Sequence, residues 1–316
     1  MKPLVSICIP AYKQPDLLKR TLESIQRQTY KNIEIVVTDD SPDDAVGALC
    51  SQMQASLPIR YFRNEKALGS PANWNASLAK AEGAYVMLLH HDDWFLKNEA
   101  LERYVNVFTA NPKLDAVFSR HNPVDEKGGQ TPTKLEPALI AQLTRLPDLL
   151  IRSNQVGPPS NLVLAARVLR RYNEKYIWLV DVEYYIRLLK EGANFHFLNE
   201  RLMHIGIHKD QITEFCYRHP DIIVKENIWL AAQVDKKAWK DVKFYDHYWR
   251  LLRNNNIRSK AQLLGMGLSQ DQLPPIILRM IGLQQKLPPA LLRNGLISKM
   301  GMGLSYLASR LTGRIE

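Results

Sequence analysis

The apolar positions of this chain fall into two kinds of run. Residues 5–9, 33–38, 59–62, 85–89 and 116–118 are short, nearly continuous apolar stretches rich in β-branched and aromatic residues. That is the pattern of strands buried on both faces of a parallel sheet. Between them the apolar positions recur at helical spacing: Leu17, Leu18, Thr21, Leu22 and Ile25 share one face, and residues 72–81 and 96–109 read as further helices. Strands alternating with helices in this way predict an α/β fold with a doubly wound, mostly parallel central sheet flanked by helices. The regularity breaks after residue 120. Residues 121–136, rich in Pro, Gly and charge, read as a long surface loop, and 137–152 as a helix. A turn at 157–161 precedes the apolar run 162–164, and 181–190 is helical, with Gly192 as its C′ residue. A strand at 195–198, a helix over 214–234 and further helices punctuated by Pro274-Pro275 and Pro288-Pro289 complete the chain.

The strand ends carry the polar residues. The run Tyr85-Val86-Met87-Leu88-Leu89 stops at His90-His91-Asp92-Asp93. In open α/β sheets ligands bind at the carboxyl ends of the strands. Two adjacent carboxylates there repel each other, and a divalent cation is the simplest offset. The alternative is a solvated acidic turn with Asp93 capping a helix that starts near Leu96. Tyr12 lies just past the first strand and Asp39-Asp40 at the end of the second. An aromatic ring and a carboxylate brought together suit a pyrimidine, the ring stacking and the carboxylate accepting the base N3–H; packing and an Asx-turn before Pro42 are the alternatives. The stretch Pro10-Ala11-Tyr12-Lys13-Gln14-Pro15 stands where a dinucleotide-binding fold needs Gly-x-Gly-x-x-Gly, and no P-loop occurs, so both of those readings are rejected.

Composition narrows the class. With 316 residues and 46% hydrophobic content, the chain can build a sizeable core and is not globally disordered. Cys8, Cys50 and Cys216 form neither a zinc pattern nor a disulfide framework, and a reduced cytoplasmic compartment is expected. Met1-Lys2-Pro3 leads straight into the first strand, so no signal peptide is expected. No stretch approaches the ~18 apolar residues of a transmembrane helix. The formal net charge is +10, and residues 240–316 hold 12 Lys/Arg against 4 Asp/Glu, or +8 of it. In this tail Leu292, Leu296, Met300, Leu304, Leu307 and Leu311 recur at three- or four-residue steps, with Arg293, Lys299, Arg310 and Arg314 among them. That suits a helix lying on an anionic membrane surface; a helix packed on the rest of the chain or at a homodimer interface is the alternative. Gly295, Gly301 and Gly303 weaken it as an isolated helix. The tail lacks the interleaved aromatic and basic pattern of single-strand binding, so nucleic acid is not the expected partner.

Three ordered blocks carry a family resemblance: Val5-Ser6-Ile7-Cys8-Ile9-Pro10-Ala11-Tyr12, then Thr21-Leu22-Glu23-Ser24-Ile25-Gln26-Arg27-Gln28-Thr29-Tyr30, then Glu34-Ile35-Val36-Val37-Thr38-Asp39-Asp40-Ser41. Together they resemble family 2 glycosyltransferases of the GT-A fold, over residues 4–213. The resemblance implies a GT-A (Rossmann-like) nucleotide-sugar-binding catalytic domain at 1–213, followed by a basic helical C-terminal region at 214–316. It implies an inverting, metal-dependent transfer of a sugar from a nucleoside-diphosphate sugar to a hydroxyl of a saccharide or lipid-linked acceptor, in surface polysaccharide or glycolipid assembly at the cytoplasmic face of a membrane. Pro10, Tyr12 and Asp40 would hold the donor base, with UDP favoured because uracil presents N3–H. His90-His91-Asp92-Asp93 occupies the Asp-x-Asp position, assigning Asp93 to Mn²⁺ or Mg²⁺ and Asp92 to ribose or metal. Trp178-Leu179-Val180-Asp181-Val182-Glu183-Tyr184-Tyr185-Ile186-Arg187 matches the block that supplies the general base, here Asp181; a helix N-cap is its bland alternative. Glu183 and Arg187 read as a surface i,i+4 pair. Gly157-Pro158-Pro159-Ser160-Asn161 resembles the loop beside sugar and acceptor, giving Pro159, Ser160 and Asn161. His208-Lys209-Asp210-Gln211-Ile212-Thr213 resembles a late block that would bring His208 to the metal and Lys209 to the diphosphate. The rival classes are a nucleotide- or nucleic-acid-binding protein without transfer activity, and a nucleotidyltransferase, which would need a glycine-rich phosphate loop near the first strand.

Overall fold

A computed structural model describes residues 2–131, 133 and 135–311. Arg314 of the tail pattern lies outside the described residues. The chain divides into two compact units, Met1–Thr144 with Gln155–Gln211, and Arg145–Asn154 with Ile212–Glu316. The second unit thus takes a segment from within the expected catalytic domain. In it the Asp148 carboxylate accepts the Asp235 N–H at 2.9 Å.

The first unit is built on an eight-stranded sheet ordered β3-β2-β1-β4-β7-β6-β8-β5. Its strands are β1 (Val5–Ala11), β2 (Ile33–Asp39), β3 (Ile59–Arg63), β4 (Tyr85–Leu88), β5 (Trp94–Phe95), β6 (Ala116–Asp125), β7 (Leu162–Ala165) and β8 (Phe195–Ile207). The helices of this unit are α1 (Pro15–Gln26), α2 (Ala45–Met53), α3 (Ala72–Leu78), α4 (Ala100–Ala110), α5 (Pro137–Ile140) and α6 (Val180–Lys190). The first four strands are parallel, as their continuous apolar runs predict. Beyond β4 the sheet is mixed: β7 runs antiparallel to both β4 and β6, β5 antiparallel to β8, and only β6 and β8 are parallel. An apolar run has the same period in either direction, so pattern alone does not separate these cases.

Val5, Ile7, Ile9, Ile35, Val37 and Met87 are fully buried between helix layers, and α1 covers them with Leu18, Leu22 and Ile25. Three expectations fail for local reasons. Residues 121–125 belong to β6, whose Arg120 to Asp125 pair with Arg201 to Ile207 across a register shift; those half-exposed polar positions look like a loop until the partner strand is known. Residues 137–152 are not one helix: α5 ends at Ile140, and Pro147, with no N–H, starts a separate 3-10 turn over Pro147–Ile151. Residues 96–99 precede rather than begin α4, so Asp93 caps no helix.

In the second unit the expected helix over 214–234 divides at His219-Pro220 into α7 (Ile212–Arg218) and α8 (Pro220–Ala231). Then come α9 (Val242–Asn254), α10 (Lys260–Gly265), α11 (Pro275–Gln285), α12 (Pro289–Arg293) and α13 (Gly295–Leu311). Phe244, Tyr245, Tyr248, Trp249 and Leu252 on one face of α9 form its core. No described helix is long and apolar enough to cross a membrane. The three cysteines are buried free thiols.

Candidate active site

The His90–Asp93 turn sits where β4 ends, and α1 holds it from below. The Thr21 hydroxyl lies 2.8 Å from the His91 carbonyl and 2.7 Å from that of Asp93, and the Arg20 guanidinium donates to the Asp92 carbonyl at 3.0 Å. Arg20 itself stacks 3.6 Å over the Trp94 ring. From the other side Ser160 accepts the His90 N–H at 2.9 Å. Gly206 on β8 passes so close that a Cβ there would stand 2.5 Å from the Asp92 carbonyl oxygen. A backbone fixed at this many points leaves the side chains of the turn little freedom.

Those side chains converge. One ligand atom from each of His90, Asp92 and Asp93 falls within 4.8 Å of the others. Asp92 is a half-satisfied carboxylate: its Oδ2 meets His208 Nε2 at 2.9 Å and the Gln211 amide at 3.1 Å. Burial alone would raise its pKa, but the His208 hydrogen bond, the neighbouring His91 and His90 rings and Gln211 hold it well below the usual carboxylate range. His208 is pushed up in return, chiefly by that hydrogen bond. Asp93 is the opposite case. Its Oδ1 accepts the Gly206 N–H at 3.0 Å, while Oδ2 is buried with no hydrogen-bond partner. Burial and then the charge of Asp92 push its carboxyl well above the usual range; the Ser160 hydroxyl tempers the rise without completing a bond to Oδ2. Burial lowers His90 to about 4, and its Nε2 is also buried without a partner. A neutral imidazole and two adjacent carboxylates with an unpaired buried oxygen and nitrogen fit a hard divalent cation that accepts N and O ligands. Of the other expected residues, His91 bonds Gln14 Oε1 at 3.0 Å, and His208 stands against Asp92 rather than among the ligand atoms. Lys209 is exposed beside it.

The second cluster is a cleft of ≈ 260 Å³ lined by Tyr12, Asp40, Ser41, Pro42, Arg63, Asn64, Glu65 and Ala67. Tyr12 is 49% exposed and stands at its wall, whereas Pro10 is buried within β1. Asp39 is consumed internally, accepting the Ser41 N–H and the Tyr61 hydroxyl, each at 2.8 Å. Asp40 accepts from Asn64 at 2.7 Å, from Leu68 N–H at 3.0 Å and from Gly69 N–H at 2.8 Å. Three donors on a carboxylate with about four acceptor positions leave room for one more.

Asp181 is not a cap. Helix α6 begins at Val180 with Leu179 before it, and the Asp181 Oδ1 accepts the N–H of Val182 at 2.8 Å from within the first turn. A ladder of rings runs from this turn to the His90-Asp92-Asp93 cluster: Tyr184 stacks on Tyr172 at 4.0 Å, Tyr172 meets Trp74 edge-on at 5.2 Å, and Trp74 leans on His90 at 4.8 Å. Burial first, with neighbouring tyrosines and the Asp181 charge adding to it, raises both Tyr172 and Tyr185. Tyr185 in turn donates to the Gly157 carbonyl at 3.1 Å. Pro159, Ser160 and Asn161 are all buried, and Asn161 spends its amide on the Ser119 and Val156 carbonyls at 2.5 and 2.8 Å, so this loop braces the His90 turn from behind. Glu183 and Arg187, expected as a surface pair, form a bidentate bridge at 2.9 and 3.1 Å in which Glu183 is buried. Sequence reasoning missed Arg20, Trp74 and Gly206 outright and placed Thr21 in the apolar stripe; only Gln211 stood in a motif that signalled it.

The model of the family "Glycosyl transferase family 2" matches residues 6–181. An uncharacterized glycosyltransferase of Methanocaldococcus jannaschii is 28% identical over 207 residues, covering 64% of this chain and 70% of its own. The amylovoran biosynthesis glycosyltransferase AmsB of Erwinia amylovora is 25% identical over 259 residues, covering 78% and 83%. Among solved structures, Staphylococcus aureus TarS 1–349 in complex with UDP-GlcNAc superposes with a TM-score of 0.64 at 18% identity, over 99% of this chain and 92% of that one. The mannosyltransferase PcManGT of Pyrobaculum calidifontis, in complex with GDP-Man and Mn²⁺, gives a TM-score of 0.54 at 14% identity, over 98% and 87%. The fold is therefore that of GT-A glycosyltransferases, and with the family model spanning more than half its length this chain belongs to glycosyl transferase family 2 and is a glycosyltransferase.

Proposed function

We propose that the protein transfers a sugar, with inversion, from a UDP-sugar to a hydroxyl of a saccharide or lipid-linked acceptor, using a divalent cation held by Asp93, Asp92 and His90. The observation that carries this reading is the buried, unpartnered Asp93 Oδ2 beside Asp92, at the end of β4. When bound, Mn²⁺ or Mg²⁺ would offset the charge of the leaving diphosphate as a Lewis acid. His208 and Gln211 hold Asp92 in place from behind, and Lys209 is available to the diphosphate. The cleft takes the base: Tyr12 offers its ring and Asp40 its remaining acceptor position to a uracil N3–H, in keeping with the UDP-GlcNAc complex of the S. aureus neighbour. Asp181 accepts the proton of the acceptor hydroxyl as its oxygen bonds the anomeric carbon; the bond from that carbon to the diphosphate oxygen breaks, and the electron pair leaves with UDP. Surface polysaccharide assembly is the favoured pathway class, by analogy with the E. amylovora relative.

Calorimetry with UDP and GDP, each with and without Mn²⁺, tests the donor and metal assignments together. UDP binding that strengthens with Mn²⁺ is expected. Preference for GDP would overturn the base assignment, and indifference to Mn²⁺ the metal site.

A further inference from the structure

Helix α13 is amphipathic the wrong way round. Its buried residues include Ser298, Ser305 and Ser309, along with Met302. Each serine is taken up by an α9 side chain: the Tyr245 hydroxyl lies 2.6 Å from Ser305 Oγ and 3.3 Å from Ser309 Oγ, and Trp249 Nε1 and Arg253 Nη1 both donate to Ser298 at 3.1 Å. This hydrogen-bonded seam sets which face points inward. The leucines therefore point out, with Leu296 72%, Met300 62%, Leu304 69%, Leu307 57% and Leu311 88% exposed. At about 100° per residue the five fall within a stripe about 80° wide, along a helix about 25 Å long. Five large apolar side chains in one continuous line mark a surface that is covered in use.

Charge says by what. From Gln272 to Leu311 the chain carries Arg279, Lys286, Arg293, Lys299 and Arg310 and no Asp or Glu. On α13 itself Lys299 and Arg310 both project along one flank of the stripe, about 80–100° from its centre, and both are exposed. A second copy of the same face would bring these cations together without a counter-charge. A surface of anionic lipid supplies both the counter-charge for the flank and an acyl boundary for the leucines. We propose that α13 is a membrane-docking helix that lies flat on an anionic bilayer, its leucine stripe seated at the headgroup–acyl boundary and Lys299 and Arg310 on the lipid phosphates. This reading is independent of donor, metal and base.

The test is vesicle co-sedimentation of the full chain on phosphatidylcholine alone and on phosphatidylcholine with phosphatidylglycerol. The variants are Leu304→Ser with Leu307→Ser, and Lys299→Gln with Arg310→Gln, with ultracentrifugation and melting curves alongside. All four positions are exposed, so the variants should melt with the wild type. Wild type should bind anionic vesicles at least about tenfold more tightly than neutral ones, and salt should weaken it. The leucine pair should lower that binding at least about tenfold, and the cation pair should abolish the preference for anionic lipid. Equal binding to both vesicles, no binding to either, or undiminished binding of the leucine variant would overturn the proposal. So would a wild-type dimer that the leucine pair converts to monomer, which would make the stripe a self-interface.

Discussion

Replacing Asp181 with Asn separates catalysis from structure, because the two roles ask different things of the side chain. Structurally, Asp181 contributes an oxygen that accepts the Val182 N–H at 2.8 Å and a negative charge in the first turn of α6. An Asn carbonyl oxygen can take the same N–H. What is lost is the interaction of the charge with the helix N-terminus, worth about 0.3–1 kcal/mol, so Tm should fall by less than about 4 °C. Catalytically, an amide has no place for the acceptor's proton. Loss of a general base costs about 10²–10⁴ in rate, or about 2.7–5.4 kcal/mol of barrier. Donor and metal binding, proposed for other residues, should be unchanged. UDP release from UDP-sugars with a panel of saccharide acceptors measures turnover, calorimetry measures UDP affinity, and a melting curve measures stability. An Asn variant that turns over within about threefold of wild type would refute the assignment of Asp181 as base and direct attention to Glu183. Asp181→Ala, which also strands the Val182 N–H, should lose as much activity and more stability.

Asp93→Asn keeps an acceptor for Gly206 but removes the charge that burial and Asp92 both oppose. Tm should hold or rise while the Mn²⁺-dependent part of UDP affinity, read by calorimetry, disappears; unaltered metal dependence would move the cation elsewhere. Gly206→Ala forces its Cβ against the Asp92 carbonyl at 2.5 Å, so the turn must shift and metal-dependent donor affinity should fall by about tenfold or more; wild-type affinity would show the turn to be slack. Glu34 is pushed below its ordinary value of 4.5: burial works against it, but bonds from Ser6, the Glu82 N–H and Arg60 prevail. Because the folded pKa is the lower one, the stabilisation is full above pH 4.5 and lost as pH falls through the folded value. Glu34→Gln should therefore cost about 1.5–3 kcal/mol at pH 7, with the gap to wild type closing in denaturant melts as the pH falls below 4.5; a constant gap would deny the charge any part.

How much of this was legible in the chain depended on whether the information was local. Strands β1, β2 and β4 were readable because each is buried on both faces and closes on its own polar residues, and β3, half-exposed at the sheet edge, because its short apolar run is bounded by polar residues. The same reading put Tyr12, Asp40, Asp92 and Asp93 just past strand ends, where the structure has them, since a polar or aromatic residue closing an apolar run is a sequence feature. The antiparallel insertion of β7 and the extension of β6 along β8 were not readable, because pairing direction and partner are tertiary facts. Nor were the supports of the site: Thr21 and Arg20 act on backbone carbonyls about seventy residues away, and no side-chain code marks a carbonyl. Gly206 serves by lacking a side chain, and Trp74 by leaning on a ring whose position only the fold defines.

The C-terminal helix shows the limit most sharply. Its leucine spacing is plain in the sequence, and periodicity by itself leaves open whether such a stripe faces a membrane or packs on the protein. The opposite face, Ser298, Ser305 and Ser309 with Met302, carries little hydrophobic signal, yet it is the face that packs, because Tyr245 and Trp249 on α9 need partners for their buried polar groups. Leaving a buried hydroxyl or indole N–H without a partner costs about 1–3 kcal/mol, comparable with the gain from burying one leucine. Two such groups satisfied along one seam, with the half-buried Arg253 donating beside them, are enough to decide which way the helix turns. The spacing of apolar residues divides an amphipathic helix into two faces; which face points inward is settled by the polar groups waiting on the neighbouring helix. Here they turn the leucines outward.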